Sequence, residues 1–191
     1  MTSRLAAWTP WTDRAGRFSW FKSAFFLATL APALWIGFQA ATDQLGAKAA
    51  MEAVHQSGDW AIRLLVATLA VTPLRRILAS PRLGTVRRML GVAAMAYAVL
   101  HLALYVNEEN FQVGKVASEI VLRIYLTIGF VALLGLVALG VTSTDGMIAR
   151  LGRSWGRLHQ IVYAIAVLGV LHYFMQSKAN VSSAVLIGGL F

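Results

Sequence analysis

The 191-residue chain contains no cysteine, which excludes disulfides, thiolate metal sites, Fe–S clusters and a thiol nucleophile. Charge is also scarce. Only 13% of residues are charged while 58% are hydrophobic, and the mean hydropathy is +0.66, too apolar for an ordinary soluble domain. Carboxylates are rarest, with 8 Asp and Glu against 17 Lys and Arg, and none stands in the middle of an apolar run, so a proton relay through intramembrane acids has nothing to run on. Neither a G-x-G-x-x-G nor a P-loop occurs, so the chain neither binds a nicotinamide through a Rossmann motif nor hydrolyses a nucleotide. There is no 20 to 50 residue repeat, no low-complexity tract and no domain linker.

What is present is a series of long apolar runs. A hydrocarbon core of about 30 Å takes roughly 20 apolar residues per helix, so this length allows at most about six spans and leaves no room for a separate soluble domain. The runs predict an all-α integral membrane protein: a cytoplasmic arm over 1–20, then a single helical bundle over 21–191. Five transmembrane helices are expected at roughly 21–41, 59–78, 89–106, 123–142 and 156–176. Pro32 is expected to kink the first, which is too long for a cleaved signal peptide and is followed by four more spans. The apolar tail from Val181 to Phe191 has about half the length needed to cross, and reads as a partial or truncated sixth span.

The charges sort by side. The arm (Arg4, Asp13, Arg14, Arg17, Lys22), the second loop (Arg75, Arg76, Arg82, Arg87, Arg88) and the fourth loop (Asp145, Arg150, Arg153, Arg157) together carry +10, and the alternate segments carry −1. The positive-inside rule then makes the N-terminus cytoplasmic and the segments around 43–58 and 107–122 external. The net charge of +9 is therefore topology and not nucleic-acid binding. Asp59 with Arg63 and Glu119 with Arg123 form i,i+4 pairs at span ends, read as structural. Trp20, Trp60, Trp155 and Tyr125 read as interfacial aromatics.

Histidine is the one ionisable residue left inside the runs, and such residues are functional candidates because they are costly in lipid. His101 comes 13 residues after Arg88 and His172 15 after Arg157, so both lie about 20 Å from the inner boundary at the helical rise per residue. Two imidazoles at one depth on two helices can ligate one haem iron from opposite faces, since each neutral ring offers a nitrogen to an axial position. His159, two residues after Arg157, lies near the inner boundary and cannot share that haem. At its depth the third helix offers Arg87 and Arg88 and no histidine, so an inner redox group would take His159 alone, with another partner, or be something other than haem. Interhelical hydrogen bonding is the alternative role for all three histidines. His55, in the outer segment MEAVHQSGD, reads as a solvated or interfacial histidine. Met175 reads as a packing residue. The arginines from Arg75 to Arg88 read as positive-inside anchors, or as a cationic surface for haem propionates, a flavin phosphate or a donor's acidic face.

Several ordered motifs carry a resemblance over roughly 20–190: H-x-S-G-D-W-A-I-R-L-L-x-A-T-L-x-V-T-P-L-R-R from His55 to Arg76, T-V-R-R-M-L-G (85–91), H-L-A-L-Y (101–105), R-I-Y-L-T-I-G (123–129), T-S-T (142–144), W-G-R-L-H-Q-I-V-Y (155–163) and H-Y (172–173). Together they resemble the haem-binding membrane subunits of bacterial periplasmic methionine-sulfoxide reductase systems, the MsrQ (formerly YedZ) family of the ferric reductase-like transmembrane superfamily. The resemblance implies an inner-membrane protein passing electrons from the quinone pool, or from a cytoplasmic flavin reductase, through haem b to a periplasmic molybdopterin-containing catalytic partner. It implies His101, His159 and His172 as the haem-linked histidines. FMN is also attributed to the family, and no residue here maps to it. Competing expectations are a membrane cytochrome b serving ferric iron or another dehydrogenase, or a small transporter with structural histidines.

Overall fold

A computed structural model describes residues 10–12 and 16–188, with side chains up to residue 177. All regular structure among them is helical: α1 (Trp20–Ala41), a 3₁₀ turn (Gly46–Lys48), α2 (Ala49–Ile77), α3 (Leu83–Glu108), α4 (Val113–Leu122), α5 (Ile124–Val141), α6 (Asp145–Leu151), α7 (Arg153–His159) and α8 (Val162–Gly188). The chain divides into two compact units after Tyr105.

The first unit holds α1, α2 and most of α3. Ser19 caps α1 by accepting from the Lys22 N–H at 3.4 Å, and the Lys22 ammonium returns to the Thr12 carbonyl at 2.6 Å. Within α1, Pro32 has no N–H to give to the helical ladder. One residue on, the Ala33 N–H donates to the Tyr97 hydroxyl at 2.8 Å, and that hydroxyl donates to the Thr29 carbonyl at 2.8 Å. A side chain of α3 is thus inserted between two groups that an uninterrupted helix would join directly, the kind of insertion that bends helices. Tyr97 is buried. Near the other end of α1, Ile36, Leu45 and Ala53 form an apolar cluster against which Trp60 and Leu104 pack.

In the second unit α5 packs along α8. Gly135 is what allows it, since a Cβ there would lie 2.8 Å from the Ile165 side chain. The expected external segment around 107–122 contains the amphipathic helix α4, whose Lys115 ammonium is bound by the Glu109 carboxylate at 2.5 Å. That hydrogen bond raises the Lys115 pKa above its ordinary value. Thr144 caps α6 by accepting from Met147 N–H at 3.1 Å, and Gly152, at φ 51°, makes the turn into α7 that a side chain would strain.

Four helical stretches are long and apolar enough to cross a membrane: Trp20–Ala41, Leu83–Glu108, Ile124–Val141 and Arg153–Ser177, the last running through α7 into α8. They carry exposed large hydrophobics such as Leu34, Val131, Leu134 and Val167, which is how a lipid-facing surface reads. The chain is therefore a multi-pass helical membrane protein. Glu52, Asp59, Arg63, Arg75 and Arg76 keep α2 outside that set, although its 29 residues exceed the required length.

Three local expectations are corrected. His55 lies inside α2 and not in a loop, because the helix begins ten residues before the apolar run at 59. The fifth run is two helices: after His159 the bonds tighten to Gln160 N–H to Arg157 O and Ile161 N–H to Leu158 O, both 3.2 Å, before α8 begins. This i to i−3 pattern is a 3₁₀-type turn, so His159 and His172 do not stand on one continuous helix. The tail does not start a new helix, since α8 continues unbroken through the polar stretch after Met175 to Gly188. Residues 189–191 of the expected tail lie outside the described residues.

Candidate functional site

The two histidines expected at matching depth are held in the same way, each within its own unit. His101, half-buried on α3, places Nδ1 2.8 Å from the Val54 carbonyl oxygen of α2. His172, half-buried on α8, places Nδ1 2.8 Å from the Tyr125 carbonyl oxygen of α5. A carbonyl only accepts, so in each neutral ring Nδ1 carries the proton and Nε2 the lone pair. This is the second-layer bond that orients a ligating imidazole and sets its tautomer.

Each acceptor lies 47 residues before its histidine. Each helix also carries a glycine one turn after the acceptor, Gly58 and Gly129, where an added Cβ would meet the ring. All three positions recur at an offset of 71 residues: 54 and 125, 58 and 129, 101 and 172. The repeat is longer than the 20 to 50 residues typical of stacked repeat proteins, and most side chains at matching positions differ. Where Gly135 and Ile165 meet in the second unit, the first has Leu64 and Ala94, both buried, with the large and small residues exchanged. Arg88 occupies the position equivalent to His159.

His159 is held differently. Its Nδ1 faces the Trp155 carbonyl of its own helix at 3.1 Å, and its Nε2 faces the Ser143 hydroxyl at 3.3 Å. Ser143 Oγ in turn donates to the Leu139 carbonyl at 2.7 Å. The Trp155 indole stacks on the imidazole with ring centroids 3.9 Å apart and donates from Nε1 to the Thr142 carbonyl at 2.9 Å. Trp155, expected as an interfacial aromatic, is thus part of the histidine's packing. Any metal taking Nε2 of His159 has to displace the Ser143 hydroxyl.

His55 is half-buried and its Nε2 is buried with no hydrogen-bond partner among the described residues, so of the two settings expected for it, solvated or interfacial, the first does not hold. Asp59 meets Arg63 at 3.1 Å and Glu119 meets Arg123 at 3.2 Å, the two i,i+4 pairs read from spacing. Arg75, Arg76, Arg82 and Arg87 are exposed around the α2–α3 turn, and Arg88 is half-buried. Reading the sequence alone missed Gly58, Gly129 and Tyr97. Gly58 is the fourth residue of the motif from His55 to Arg76 and Gly129 ends R-I-Y-L-T-I-G; the one long-range signal available was a glycine 43 residues before each of His101 and His172.

Among the described residues, no three His, Asp or Glu side chains gather as ligands of a bare ion. The porphyrin supplies four of the nitrogens that haem iron needs, and an imidazole with Nδ1 tied back to a carbonyl is suited to supply a further one. Each unit presents one such donor, which fits haem and not a bare ion.

The family described as the ferric reductase like transmembrane component matches residues 57–170. The "Protein-methionine-sulfoxide reductase heme-binding subunit MsrQ" of Xanthomonas campestris pv. campestris (strain 8004) is 42% identical over 177 residues, covering 88% of this chain and 81% of that one. The protein of the same name from Caulobacter vibrioides is 39% identical over 168 residues, covering 87% and 80%. That from Xanthomonas axonopodis pv. citri is 41% identical over 166 residues, covering 86% and 76%. No solved structure matches the chain. With the motifs, the helical membrane fold and the paired histidines, these similarities show that the chain belongs to the MsrQ family of haem-binding subunits, within the ferric reductase-like transmembrane proteins.

Proposed function

We propose that this protein is the haem b electron-transfer subunit of a protein-methionine-sulfoxide reductase. It carries electrons from the quinone pool or a cytoplasmic flavin reductase across the bacterial inner membrane to a periplasmic molybdopterin-containing partner that reduces methionine sulfoxide, the reversible rung of methionine oxidation. The observation that carries this reading is the matched presentation of His101 and His172, each with Nδ1 2.8 Å from a helix carbonyl. The relatives' names supply the reductase.

Haem supplies one-electron chemistry when bound, and the protein supplies ligands, orientation and a low-dielectric sheath. His101 and His172 would hold the haem iron through Nε2. The Val54 and Tyr125 carbonyls keep the lone pair on Nε2 and make each imidazole a stronger donor. His159 is the candidate ligand of an inner redox group, releasing Ser143 to do so. Arg87 and Arg88, with the exposed arginines before them, offer cationic contacts for carboxylates or phosphates at the cytoplasmic end. In this reading α2 crosses as a fifth span: its helix is about 43 Å long at the helical rise, so its charged ends reach past a core of about 30 Å. The arginine-rich ends face the cytoplasm.

The test is spectroscopic and then functional. Detergent-purified protein reconstituted with haem is expected to give a low-spin b-type spectrum, and its dithionite-reduced form to be reoxidised by the reductase partner only when methionine sulfoxide is present. Protein that takes up no haem, or that reoxidises with no dependence on the sulfoxide, contradicts the reading.

A further inference from the structure

We propose that Gly58 and Gly129 are the positioning residues of the two imidazoles: lacking a Cβ, each lets a histidine ring lie against its helix, so that Nδ1 reaches the carbonyl one turn earlier and Nε2 is aimed. The proposal rests on the haem reading for what Nε2 is aimed at. The contact itself rests on geometry alone.

A Cβ built at position 58 would stand 2.9 Å from His101 Nδ1 and 3.0 Å from its Cε1. At position 129 it would stand 2.6, 2.8 and 2.9 Å from Nδ1, Cε1 and Cγ of His172. Carbon atoms do not pack this closely, and the ring has little freedom to yield. It is joined to the backbone by one methylene, settles into few rotamers, and is fixed at Nδ1 by a 2.8 Å hydrogen bond. An alanine would therefore move the ring off its carbonyl or push the two helices apart.

Coincidence is a poor account, because the arrangement occurs twice. In each unit the glycine follows the acceptor by four residues and precedes the histidine by 43, while the surrounding side chains differ: Ser57 and Asp59 in one, Ile128 and Phe130 in the other. Other glycines do something else. Gly91 meets only the Thr68 methyl at 3.5 Å, Gly135 meets Ile165, and Gly37 and Gly114 have nothing within 4 Å. In the helices that carry the carbonyl acceptors, the acceptor-plus-four position is glycine in both, and at each a Cβ would meet a histidine, as it would not at Gly37, Gly91, Gly114 or Gly135.

Two measurements on the full-length protein test this. The first is a thermal double-mutant cycle in detergent without added haem, which isolates a pairwise coupling. Gly58→Ala is expected to lower Tm by several degrees in the wild-type background and to have little effect beside His101→Ala, with the same pattern for Gly129→Ala and His172→Ala. If Gly129→Ala alone gives no folded protein, recovery of folding in the double variant is the same positive result. Equal losses in both backgrounds, or a double variant as unfolded as the single one, overturn the contact. The second is the haem spectrum. Gly58→Ala and Gly129→Ala are expected to turn low-spin haem partly high-spin, with added imidazole restoring the low-spin form, while Gly135→Ala, destabilising through Ile165, leaves it low-spin. Unchanged spectra in both variants, or an equal shift in Gly135→Ala, overturn the positioning role. Wild-type protein that takes up no haem overturns the haem reading, while the thermal cycle still decides the glycine contact.

Discussion

The imidazole of His159 lies flat on the indole of Trp155, centroids 3.9 Å apart and planes 25° from parallel, on consecutive turns of α7. The same indole ties α7 back to the end of α5 through Thr142. Trp155→Leu is therefore expected to cost about 1–3 kcal/mol, the sum of a lost aromatic contact and an orphaned carbonyl. Ser143→Ala removes only the partner of Nε2 and is expected to cost about 1 kcal/mol or less. Chemical denaturation in detergent, followed by tryptophan-independent circular dichroism, separates the two. Equal costs would contradict this assignment of the contacts.

A second expectation concerns α1. Tyr97→Phe leaves the Ala33 N–H and the Thr29 carbonyl without the hydroxyl that joins them, so a loss of about 1–3 kcal/mol follows from buried groups left unpaired. Pro32→Ala in the same background is expected to recover part of it, because a normal residue there lets the ladder close. Stability unchanged in Tyr97→Phe would show that the helix closes around Pro32 unaided.

The salt bridges should matter little. Arg63 and Arg123 both have more than half of their side chains exposed, and exposed i,i+4 pairs contribute about 0.3–0.5 kcal/mol. Glu119→Gln is expected to stay within that range, measured at low and at high salt. A larger loss that persists at high salt would mean that the pair is shielded from solvent.

Topology gives a third kind of test. A reporter active only in the periplasm is expected to be active when fused after Asn110 and silent when fused after Ser80, because the arginines flank the latter. Activity in the reverse pattern would invert the orientation proposed for the chain.

How far the sequence could be read depended on the range of each interaction. The pairs 59/63 and 119/123 were legible because their partners lie one helical turn apart, Arg123 at the cap of the helix that carries Glu119, so that spacing alone sets proximity. The expected depth match of His101 and His172 came from counting residues from Arg88 and Arg157, which needs only the helical rise. What was not legible depends on which helix lies against which. Gly58 and Tyr97 have partners 43 and 64 or 68 residues away, and no local pattern announces such contacts. The start of α2 was read late because Glu52 and Asp59 interrupt the apolar run, yet helical backbone needs no apolar side chains. The turn at Gln160–Ile161 has neither Gly nor Pro to signal it, and the polar residues after Met175 hid the continuation of α8.

The most direct measurement of the central claim is electron paramagnetic resonance of the oxidised, haem-reconstituted protein, in wild-type form and as His101→Ala, His172→Ala and His159→Ala. The account predicts a low-spin bis-imidazole signal in the wild type that is lost in each of the first two variants and kept in the third. A low-spin bis-imidazole signal surviving in both His101→Ala and His172→Ala would contradict it.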